Sequence, residues 1–342
     1  MRRRGVTVIL GALITALLAV GVMAFPLPYV VLKPGPTVNT LGSDNGKEVI
    51  QVTEADTSTS VGQLRLTTVG VQNRVELVWA IRGWFSDEQA VVPRDVIYPP
   101  DRSEQQVEQQ NAEEFKTSQT SAETVALREL GYPVQTYVTE VSDGGAATGV
   151  LRKDDVITTV DGAEVTSPEK LTELVKAKPA GTALTIAISR GGQPETVTIT
   201  TKAAEDGKTP RIGVSIDKKQ PHPFTVAIDL DEIGGPSAGL MFSLGIIDKL
   251  KPEDLTGGKI IAGTGTIDDE GDVGAIGGIP QKLVGAKNAG AQIFLVPADN
   301  CAEALRNTVD GLPMARVATV DDALTALQVF NSGGTPKPCT AS

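Results

Sequence analysis

Hydrophobic and polar residues follow different periods along the chain, and each period predicts a different structural element. The residues from Gly5 to Leu32 carry no charged side chain, which makes an uninterrupted run of 28 residues. A run of this length can cross a membrane as a helix, whereas the apolar core of a secretory signal usually has about 7–15 residues. We therefore expect an uncleaved membrane anchor, and a signal peptide cleaved near Ala24 stays open as the alternative.

Three arginines at positions 2–4 precede this run, and a proline-rich sequence, FPLPYVVLKPGP, overlaps its end at residues 25–36. Positive charge before a span predicts that the amino terminus lies in the cytoplasm and that everything after residue 32 lies outside it. The prolines forbid a continuing helix and predict a stiff, extended stalk. Residues 1–32 are thus expected to form the cytoplasmic tip and a single-pass transmembrane helix.

Residues 33–120 are expected to hold the stalk and a membrane-proximal region of strands and helix. Apolar and polar positions alternate in parts of it, as in GQLRLTTVGV at residues 62–71, and this alternation predicts strands. The polar, glutamine- and glutamate-rich sequence that follows predicts a helix or a tether. We assign no chemistry to this polar segment.

Residues 121–205 have the pattern of a compact module. The strand VQTYVTEV is followed by a glycine-rich loop and a second strand. Ser167 and Pro168 then mark a helix start, and a hairpin turns around residues 190–193. This order, with GVLRKDDVITTVDG at residues 149–162, resembles a PDZ domain, which implies a partly open β-barrel with helices.

The PDZ resemblance implies a peptide bound as an added strand, with its terminal carboxylate held by a loop of backbone amides. The corresponding loop here would be Gly131, Tyr132, Pro133 and Val134. Pro133 has no amide hydrogen to donate, so this loop departs from the pattern.

Strands and helices alternate through residues 206–332, which predicts an α/β or α+β domain followed by a tail at residues 333–342. Two cysteines, Cys301 and Cys339, lie in these segments. On the outer side of a membrane the environment is oxidising, so a disulfide that joins the tail to this domain is expected. Two unpaired thiols are the alternative.

The amino-acid composition argues against several classes of ligand and partner. The net charge of −11 argues against a nucleic-acid partner. One histidine and two distant cysteines match no zinc spacing, so we expect no metal and no cofactor. Gly258 and Lys259 are followed by Ile260, where a nucleotide-binding Walker A loop needs serine or threonine, so we expect no nucleotide either.

The sequence EIGGPSAGLMF raises the question of a nucleophile, because Gly235, Pro236, Ser237, Ala238 and Gly239 fit the pattern G-x-S-x-G. An esterase of the α/β-hydrolase type needs a histidine after the serine, and the one histidine of the chain precedes it. That class is therefore excluded. Gly-Pro-Ser followed by apolar residues also describes an ordinary helix start, and this interpretation stays open.

Among the lysines after the serine, Lys282 has the most suggestive surroundings, because VGAIGGIPQ precedes it and LVGA follows it. A lysine serves as a base only when it is neutral, which burial favours by lowering its pKa from about 10.4. A solvated lysine on a helix surface is the alternative.

Together, GGPSAGLMFSLGIIDKL and GTGTIDDEGDVGAIGGIPQKLVGA resemble the proteolytic domain of Lon, over roughly residues 210–330. The resemblance implies that Ser237 is the nucleophile, that Lys282 is its base, and that the hydroxyl of Thr264 holds the lysine. Gly235, Pro236 and Ala238 would surround the oxyanion. Many members carry an acidic residue three positions before the serine, where this chain has Gly234.

The combined resemblance is to membrane-anchored, PDZ-containing Lon-like serine peptidases of bacteria, with an α+β proteolytic domain. It implies an ATP-independent endopeptidase in the bacterial cell membrane that hydrolyses unfolded or flexible extracytoplasmic polypeptides, with the PDZ domain recruiting or gating them. A six-membered ring is expected by resemblance to Lon. A membrane-anchored adaptor with an inactive Lon-like domain is the alternative.

Overall fold

The computed structural model describes residues 7, 10–16, 26–73, 75–230 and 235–340. The contacts divide the chain into two compact units. We call Met1–Ala126 together with Phe224–Ser342 the outer unit, and Leu127–Pro223 the inserted unit.

Residues 10–16 are helical, and no described helix is both long and apolar enough to cross a membrane. Two short 3-10 turns lie at Arg94–Val96 and Ala298–Asn300. The α-helices of the remaining described chain are α1 Leu77–Trp84, α2 Glu104–Glu129, α3 Pro168–Lys176, α4 Gly239–Leu250, α5 Ile279–Asn288, α6 Cys301–Arg306 and α7 Val320–Asn331.

The strands are numbered in chain order. They are β1 Pro26–Leu27, β2 Tyr29–Asn39, β3 Ser43–Asp44, β4 Lys47–Glu48, β5 Ile50–Thr53, β6 Gln63–Gln72, β7 Val75–Glu76, β8 Ala90–Pro93, β9 Gln135–Val141, β10 Val156–Val160, β11 Ala163–Glu164, β12 Ala183–Arg190, β13 Gln193–Thr200, β14 Lys202–Ala203, β15 Pro210–Arg211, β16 Val214–Lys219, β17 Thr225–Ile228, β18 Ile260–Gly263, β19 Thr266–Ile267, β20 Val273–Gly274, β21 Ile293–Pro297 and β22 Met314–Val317.

The outer unit is built on a six-stranded mixed sheet in the order β22-β21-β18-β6-β2-β8. Strands β22, β21, β18 and β6 pair in parallel, while β2 pairs antiparallel with both β6 and β8. The two strands next to each other at its centre, β18 and β6, come from sequence segments almost 200 residues apart. The fold of the outer unit therefore requires chain segments from both sides of the inserted unit.

Helices cover both faces of the parallel part of this sheet. In β21, Ile293 and Leu295 belong to a core that includes buried residues of α4 and α7, whereas Phe294 and Val296 belong to a core with α5 and α6. Parallel strands buried on both faces are continuously apolar, as the sequence IFLV is. The layers of helix, sheet and helix place the starts of α4 and α5 near the central strands.

The structure has strands where the sequence predicted a stalk and the end of a membrane span. Pro26–Leu27 and Tyr29–Asn39 are strands, and Val30 and Val31 are buried in the outer unit. Pairing of β2 with β6 compensates for the prolines, because the register shifts between Pro34 and Thr37 and a bulge accommodates the missing donors. The part of the expected span at residues 17–25 lies outside the described residues.

The inserted unit has a second sheet in the order β13-β12-β10-β9-β16, with β11 paired to β10. Helix α3 begins as the sequence indicates: the Oγ of Ser167 accepts a hydrogen bond from the amide of Lys170, and Pro168 occupies the first turn. The leucine and valine that face the core, Leu171 and Val175, are buried.

The unit boundaries differ from the expected 121–205 and 206–332. Strand β16, at Val214–Lys219, pairs antiparallel with β9 and so completes the inserted sheet. Residues 33–120, expected to precede the module, and residues 121–126, expected to begin it, belong to the outer unit. Neither shift could be read from local patterns, because each depends on pairing between distant segments.

Cys301 and Cys339 are joined in a disulfide. Cys301 begins α6, and the tail reaches the edge of the sheet through a bridge between Ala315 and Pro338. The described part of the tail therefore packs on the outer unit.

Candidate active site

Ser237 lies in the turn that leads into α4. Gly235 has a positive φ of 89°, a conformation that favours glycine. Helix α2 holds this turn at two points: the Gly235 amide donates to the carbonyl of Asn111 at 3.0 Å, and Ser118 Oγ donates to the carbonyl of Pro236 at 2.9 Å. The turn is thus fixed by a helix more than 100 residues away in sequence.

A second set of hydrogen bonds, from residues that follow β18, holds the backbone of Ser237. The carbonyl oxygen of Ser237 accepts hydrogen bonds from the Gly265 amide and from Thr264 Oγ1, both at 3.0 Å. The Leu240 amide in turn donates to the carbonyl of Gly265 at 3.2 Å. These bonds fix the backbone of the serine and leave its side chain to face Lys282.

Lys282 lies in the first turn of α5 and is 3 % exposed. Its Nζ is 2.8 Å from Ser237 Oγ and 2.8 Å from Thr264 Oγ1. Burial lowers the pKa of the Lys282 amine from 10.5 to about 7. At neutral pH a large fraction of this amine is therefore uncharged, and an uncharged amine can accept a proton from a serine hydroxyl.

The glycines before Lys282 allow α5 to approach the sheet. Gly278 adopts a φ of 74°, and a Cβ at this position would lie 2.6 Å from Val69 Cγ2 on β6. A larger residue would be strained in backbone and would collide with the strand. The second glycine of the sequence IGGIPQK is thus explained by the close approach that places Lys282 beside Ser237.

A cavity of about 580 Å³ opens in front of Ser237. Ser237 itself is half-buried, so its hydroxyl can be reached from this cavity. The lining residues are Pro36, Leu66, Thr67, Thr68, Val69, Gly70, Pro236, Ser237, Ala238, Thr266, Ala275, Ile276, Gly277 and Lys282. One wall therefore comes from β2 and β6, which the sequence analysis placed outside the catalytic domain.

Strand β6 offers a backbone edge to this cavity. It pairs with β18 from Gln63 to Leu66, and β18 ends at Gly263, whereas β6 continues to Gln72. The cavity-lining residues Thr67 to Gly70 lie beyond that pairing. An extended polypeptide can add to such an edge through main-chain hydrogen bonds.

The structure brings together Ser237, Lys282 and Thr264, and it places Pro236 and Ala238 on the cavity wall. Gly234, which stands where the resemblance implies an acidic residue, lies outside the described residues. The residues that sequence reasoning missed are Pro36 and Thr67–Gly70. The alternating pattern around Thr67–Gly70 predicted a strand, and Pro36 was assigned to the stalk, but neither pattern indicated proximity to the serine.

The loop Gly131–Val134 does not have the geometry expected for a carboxylate site. It follows the end of α2, and the amides of Gly131 and Tyr132 donate to the carbonyls of Arg128 and Leu127. These donors complete the helix end, and Pro133 has none, so the expected role of this loop is corrected.

A groove of about 680 Å³ instead lies elsewhere in the inserted unit, between α3 and β16. β16 is the last strand of its sheet, with β9 as its partner. The groove is lined by Ser142, Leu171, Thr172, Val175, Lys176, Thr209, Pro210, Arg211, Ile212, Gly213, Val214 and Ser215. An apolar floor, a strand edge and two cationic side chains at Lys176 and Arg211 suit an extended chain end with a carboxylate.

Comparisons with known families match two separate parts of the chain. Residues 229–329 match the model of the Lon protease (S16) C-terminal proteolytic domain, and residues 106–201 match the model of the PDZ domain. The family match to the proteolytic domain covers Ser237, Thr264 and Lys282 but not the cavity wall formed by β2 and β6.

Relatives in sequence carry the name Lon protease. The chain is 34 % identical over 99 residues to Lon protease 2 of Bacillus subtilis (strain 168), covering 28 % of this chain and 17 % of that protein. It is 39 % identical over 93 residues to Lon protease of Azospirillum brasilense, covering 26 % and 11 % respectively. The chain thus spans less than a fifth of the length of these relatives.

Among solved structures, the PDZ domain of the SdrC-like protein from Listeria monocytogenes is similar. The identity is 30 %, the match covers 24 % of this chain and 85 % of that chain, and the TM-score is 0.23. For the PDZ domain of the SdrC-like protein from Listeria innocua the identity is 28 %, with coverage of 26 % and 99 % and a TM-score of 0.24.

Proposed function

We propose that this chain, which combines a PDZ domain with a Lon-type proteolytic domain, is a serine endopeptidase that uses Ser237 as nucleophile and Lys282 as general base. The observation that carries the proposal is the 2.8 Å contact between Lys282 Nζ and Ser237 Oγ, with the amine buried. A buried lysine within reach of a serine hydroxyl meets the two requirements of an activated nucleophile, which are contact with a base and a suitable pKa.

In the first step, neutral Lys282 accepts the hydroxyl proton as Ser237 Oγ forms a bond to the carbonyl carbon of a peptide. The tetrahedral intermediate then breaks its C–N bond, and Lys282 returns the proton to the leaving amine. A water molecule, deprotonated by the same lysine, attacks the resulting ester. Cleavage of the ester releases the new carboxyl end and restores the serine hydroxyl.

Thr264 positions the base. Its Oγ1 donates to the Ser237 carbonyl and can therefore accept from Lys282 Nζ. One hydroxyl thus links the amine to the backbone of the nucleophile. This arrangement restricts the amine to the side of the serine from which it can remove the proton.

The negative oxygen of the tetrahedral intermediate is stabilised, in this proposal, by backbone amides at the start of α4. The amino-terminal end of a helix carries partial positive charge, and amides aimed at a developing oxyanion contribute strongly to catalysis. Pro236 and Ala238 line the cavity beside Ser237 and give the substrate access to this helix end.

The substrate is proposed to be an unfolded or flexible polypeptide bound in extended form along β6. The 342 residues contain no Walker A sequence, so we propose that cleavage needs no ATP and that folded proteins are poor substrates. The groove between α3 and β16 would recruit or gate a chain end. The disulfide between Cys301 and Cys339 supports the proposed extracytoplasmic location, with anchoring through the uncharged amino-terminal run.

The test is cleavage of a permanently unfolded protein in the absence of nucleotide by the native chain and by Ser237→Ala. Ser243→Ala is the matched control, because Ser243 lies buried in α4, the helix that follows Ser237, and donates to the carbonyl of Gly239. We expect cleavage by the native chain and the control and none by Ser237→Ala. Equal cleavage by all three would overturn the assignment, and cleavage by none would favour an adaptor.

A further inference from the structure

Helix α1 packs on the outer unit with its small residues. Ala80 and Gly83 are its buried positions, and a Cβ added at Gly83 would lie 2.7 Å from Val91 Cγ2 on β8. The helix therefore approaches the sheet closely, through a face that buries little apolar surface. Most of its large apolar side chains lie on the opposite face, although Leu77 is half-buried and the ring of Trp84, which is 56 % exposed, also makes an edge-on contact with that of Tyr29 on β2.

That opposite face forms an exposed patch, which we call the aromatic patch. Its members are apolar and between 43 % and 87 % exposed: Val78, Trp79, Ile81, Trp84 and Phe85. The patch contains both tryptophans of the chain. A surface helix that turns small residues inward and aromatic residues outward reverses the usual pattern, and contiguous exposed apolar surface of this kind marks an interaction site.

The chemistry of the patch fits the interface of a lipid bilayer. Tryptophan is enriched at the level of the headgroups, where one end of the ring is apolar and the other polar. The one charged residue between Leu77 and Phe85 is Arg82, whose guanidinium carbon lies 5.8 Å from the centroid of the Trp79 ring. Arginine can extend its charge toward headgroups while its stem covers apolar surface.

The position of α1 in the fold points to the same partner. Strand β1, at Pro26–Leu27, pairs with β7, at Val75–Glu76, and α1 starts at the next residue. The chain thus joins the strands of the outer unit beside α1 while still within the uncharged run, which ends at Leu32. Within that run, Leu10, Leu13 and Ile14 are exposed on helical residues.

We propose that the aromatic patch inserts into the headgroup region of the bilayer and fixes how the outer unit lies on the membrane. This inference rests on the membrane anchoring proposed above. A span alone would leave the unit free to rotate at the surface. A second contact through α1, next to the paired strands β1 and β7, holds the unit in one orientation.

Docking of this patch would bring the catalytic cavity near the bilayer. Val71 is 39 % exposed and follows Gly70, a lining residue of the cavity, on β6. Its neighbour Gln72 pairs with Val31, which packs below Gly83 of α1. At about 3.4 Å per residue, Thr67 and Val71 are roughly 14 Å apart. The orientation therefore favours polypeptide segments that lie close to the membrane surface.

The experiment uses tryptophan fluorescence of the full chain in vesicles of phosphatidylcholine and phosphatidylglycerol. Both tryptophans belong to the patch, so the emission reports on it directly. We compare vesicles without bromine, with phosphatidylcholine brominated near the headgroup, and with phosphatidylcholine brominated at mid-chain. Flotation of the same samples measures anchoring separately.

We expect bromine near the headgroup to remove about half or more of the emission and mid-chain bromine to remove less. Val78→Gln combined with Ile81→Gln keeps both tryptophans and should reduce the quenching at least about twofold. Val61→Gln is the matched control, since Val61 is an equally apolar, 88 % exposed residue of the same unit outside the patch. It should leave the quenching unchanged.

A chain that floats with vesicles but whose emission is quenched by aqueous iodide and not by brominated lipid would overturn the docking while leaving the anchor in place. A chain that does not float would overturn both. Emission that shifts with protein concentration in the absence of lipid would assign the patch to contact between copies. Peptidase activity is measured independently with Ser237→Ala, so none of these outcomes depends on it.

Discussion

The Nζ of Lys282 lies 2.8 Å from the Oγ of Ser237, although 45 residues separate the two in the chain. The contact forms because each residue lies at the start of a helix, α4 or α5, and because glycine permits the turn before each one. Burial of the amine then lowers its pKa to about 7 and makes it a base. The lowered pKa of Lys282 follows from its burial and not from a neighbouring charge.

Thr264→Val should lower kcat by roughly tenfold or more, because it removes the hydroxyl that holds the Lys282 amine and keeps the side-chain volume. The hydroxyl favours the protonated amine, so its loss should also move the midpoint of the pH–rate profile to lower pH. Thr264→Ser should restore both properties. A loss of rate in Thr264→Val without a shift of the midpoint would mean that Thr264 serves only the fold.

Lys282→Met should abolish cleavage and yet stabilise the chain below neutral pH. The pKa of the amine is 10.5 in the unfolded state and about 7 in the folded state, so the unfolded chain holds this proton more tightly. The native chain therefore loses stability as the pH falls from 10.5 to about 7, and the loss stays constant below that.

Urea unfolding of the native chain and of Lys282→Met, at about pH 6 and about pH 9.5, measures this dependence of stability on pH. The free energy of unfolding of Lys282→Met should exceed that of the native chain by a few kcal/mol at the lower pH and by little at the higher pH. Lys287→Met is the control, since Lys287 is an exposed residue of the same helix. An equal difference at both pH values would contradict the burial of a neutral amine.

Replacing Cys301 and Cys339 together by serine should lower the free energy of unfolding by about 2–4 kcal/mol, because the bridge closes a loop of 38 residues and limits the unfolded chain. Addition of a reducing agent should move the urea midpoint of the native chain to that of the double variant. If reduction changes neither the midpoint nor the slope, the tail is held by its packing on β22 and not by the bridge.

The groove of the inserted unit should bind a peptide that ends in an apolar residue with a free carboxylate. Thr172→Trp should weaken this binding by about tenfold or more, because Thr172 is exposed and lines the groove, and a larger ring would fill it. Glu173→Trp, on the outer side of the same helix, should have no effect. Fluorescence anisotropy measures both, and binding that is indifferent to amidation of the peptide end would exclude a carboxylate site.

The pairing of Ser237 with Lys282 was expected from the resemblance to the Lon proteolytic domain, because the residues alone also fitted an ordinary helix start and a solvated lysine. Glycines before Ser237 and Lys282 mark the two turns, and the apolar residues after them mark two helices. The cavity wall at Thr67–Gly70 could not be predicted, since β6 reaches β18 through a pairing between segments almost 200 residues apart. Local alternation predicts that a strand forms, but it does not predict the neighbour of that strand.

The inability to predict strand neighbours also explains why the peptide site of the inserted unit was misplaced. Ser167 and Pro168 correctly indicated the start of α3, and residues 190–193 correctly indicated the hairpin. The carboxylate loop was assigned to Gly131–Val134 by resemblance, whereas the groove lies beside β16, which completes the sheet only through its pairing with β9. A sequence pattern does not reveal which strand becomes the edge.

The central claim is that Lys282 activates Ser237, and the rate at which a fluorophosphonate labels Ser237, followed against pH, tests it most directly. Only the neutral amine can accept the serine proton, so labelling of the native chain should rise through about pH 7 and level off above it. Lys282→Met should label at least about a hundredfold more slowly at all pH values, while Lys287→Met should match the native chain. Labelling of Lys282→Met at the native rate, or a native profile without a midpoint near neutrality, would contradict the account.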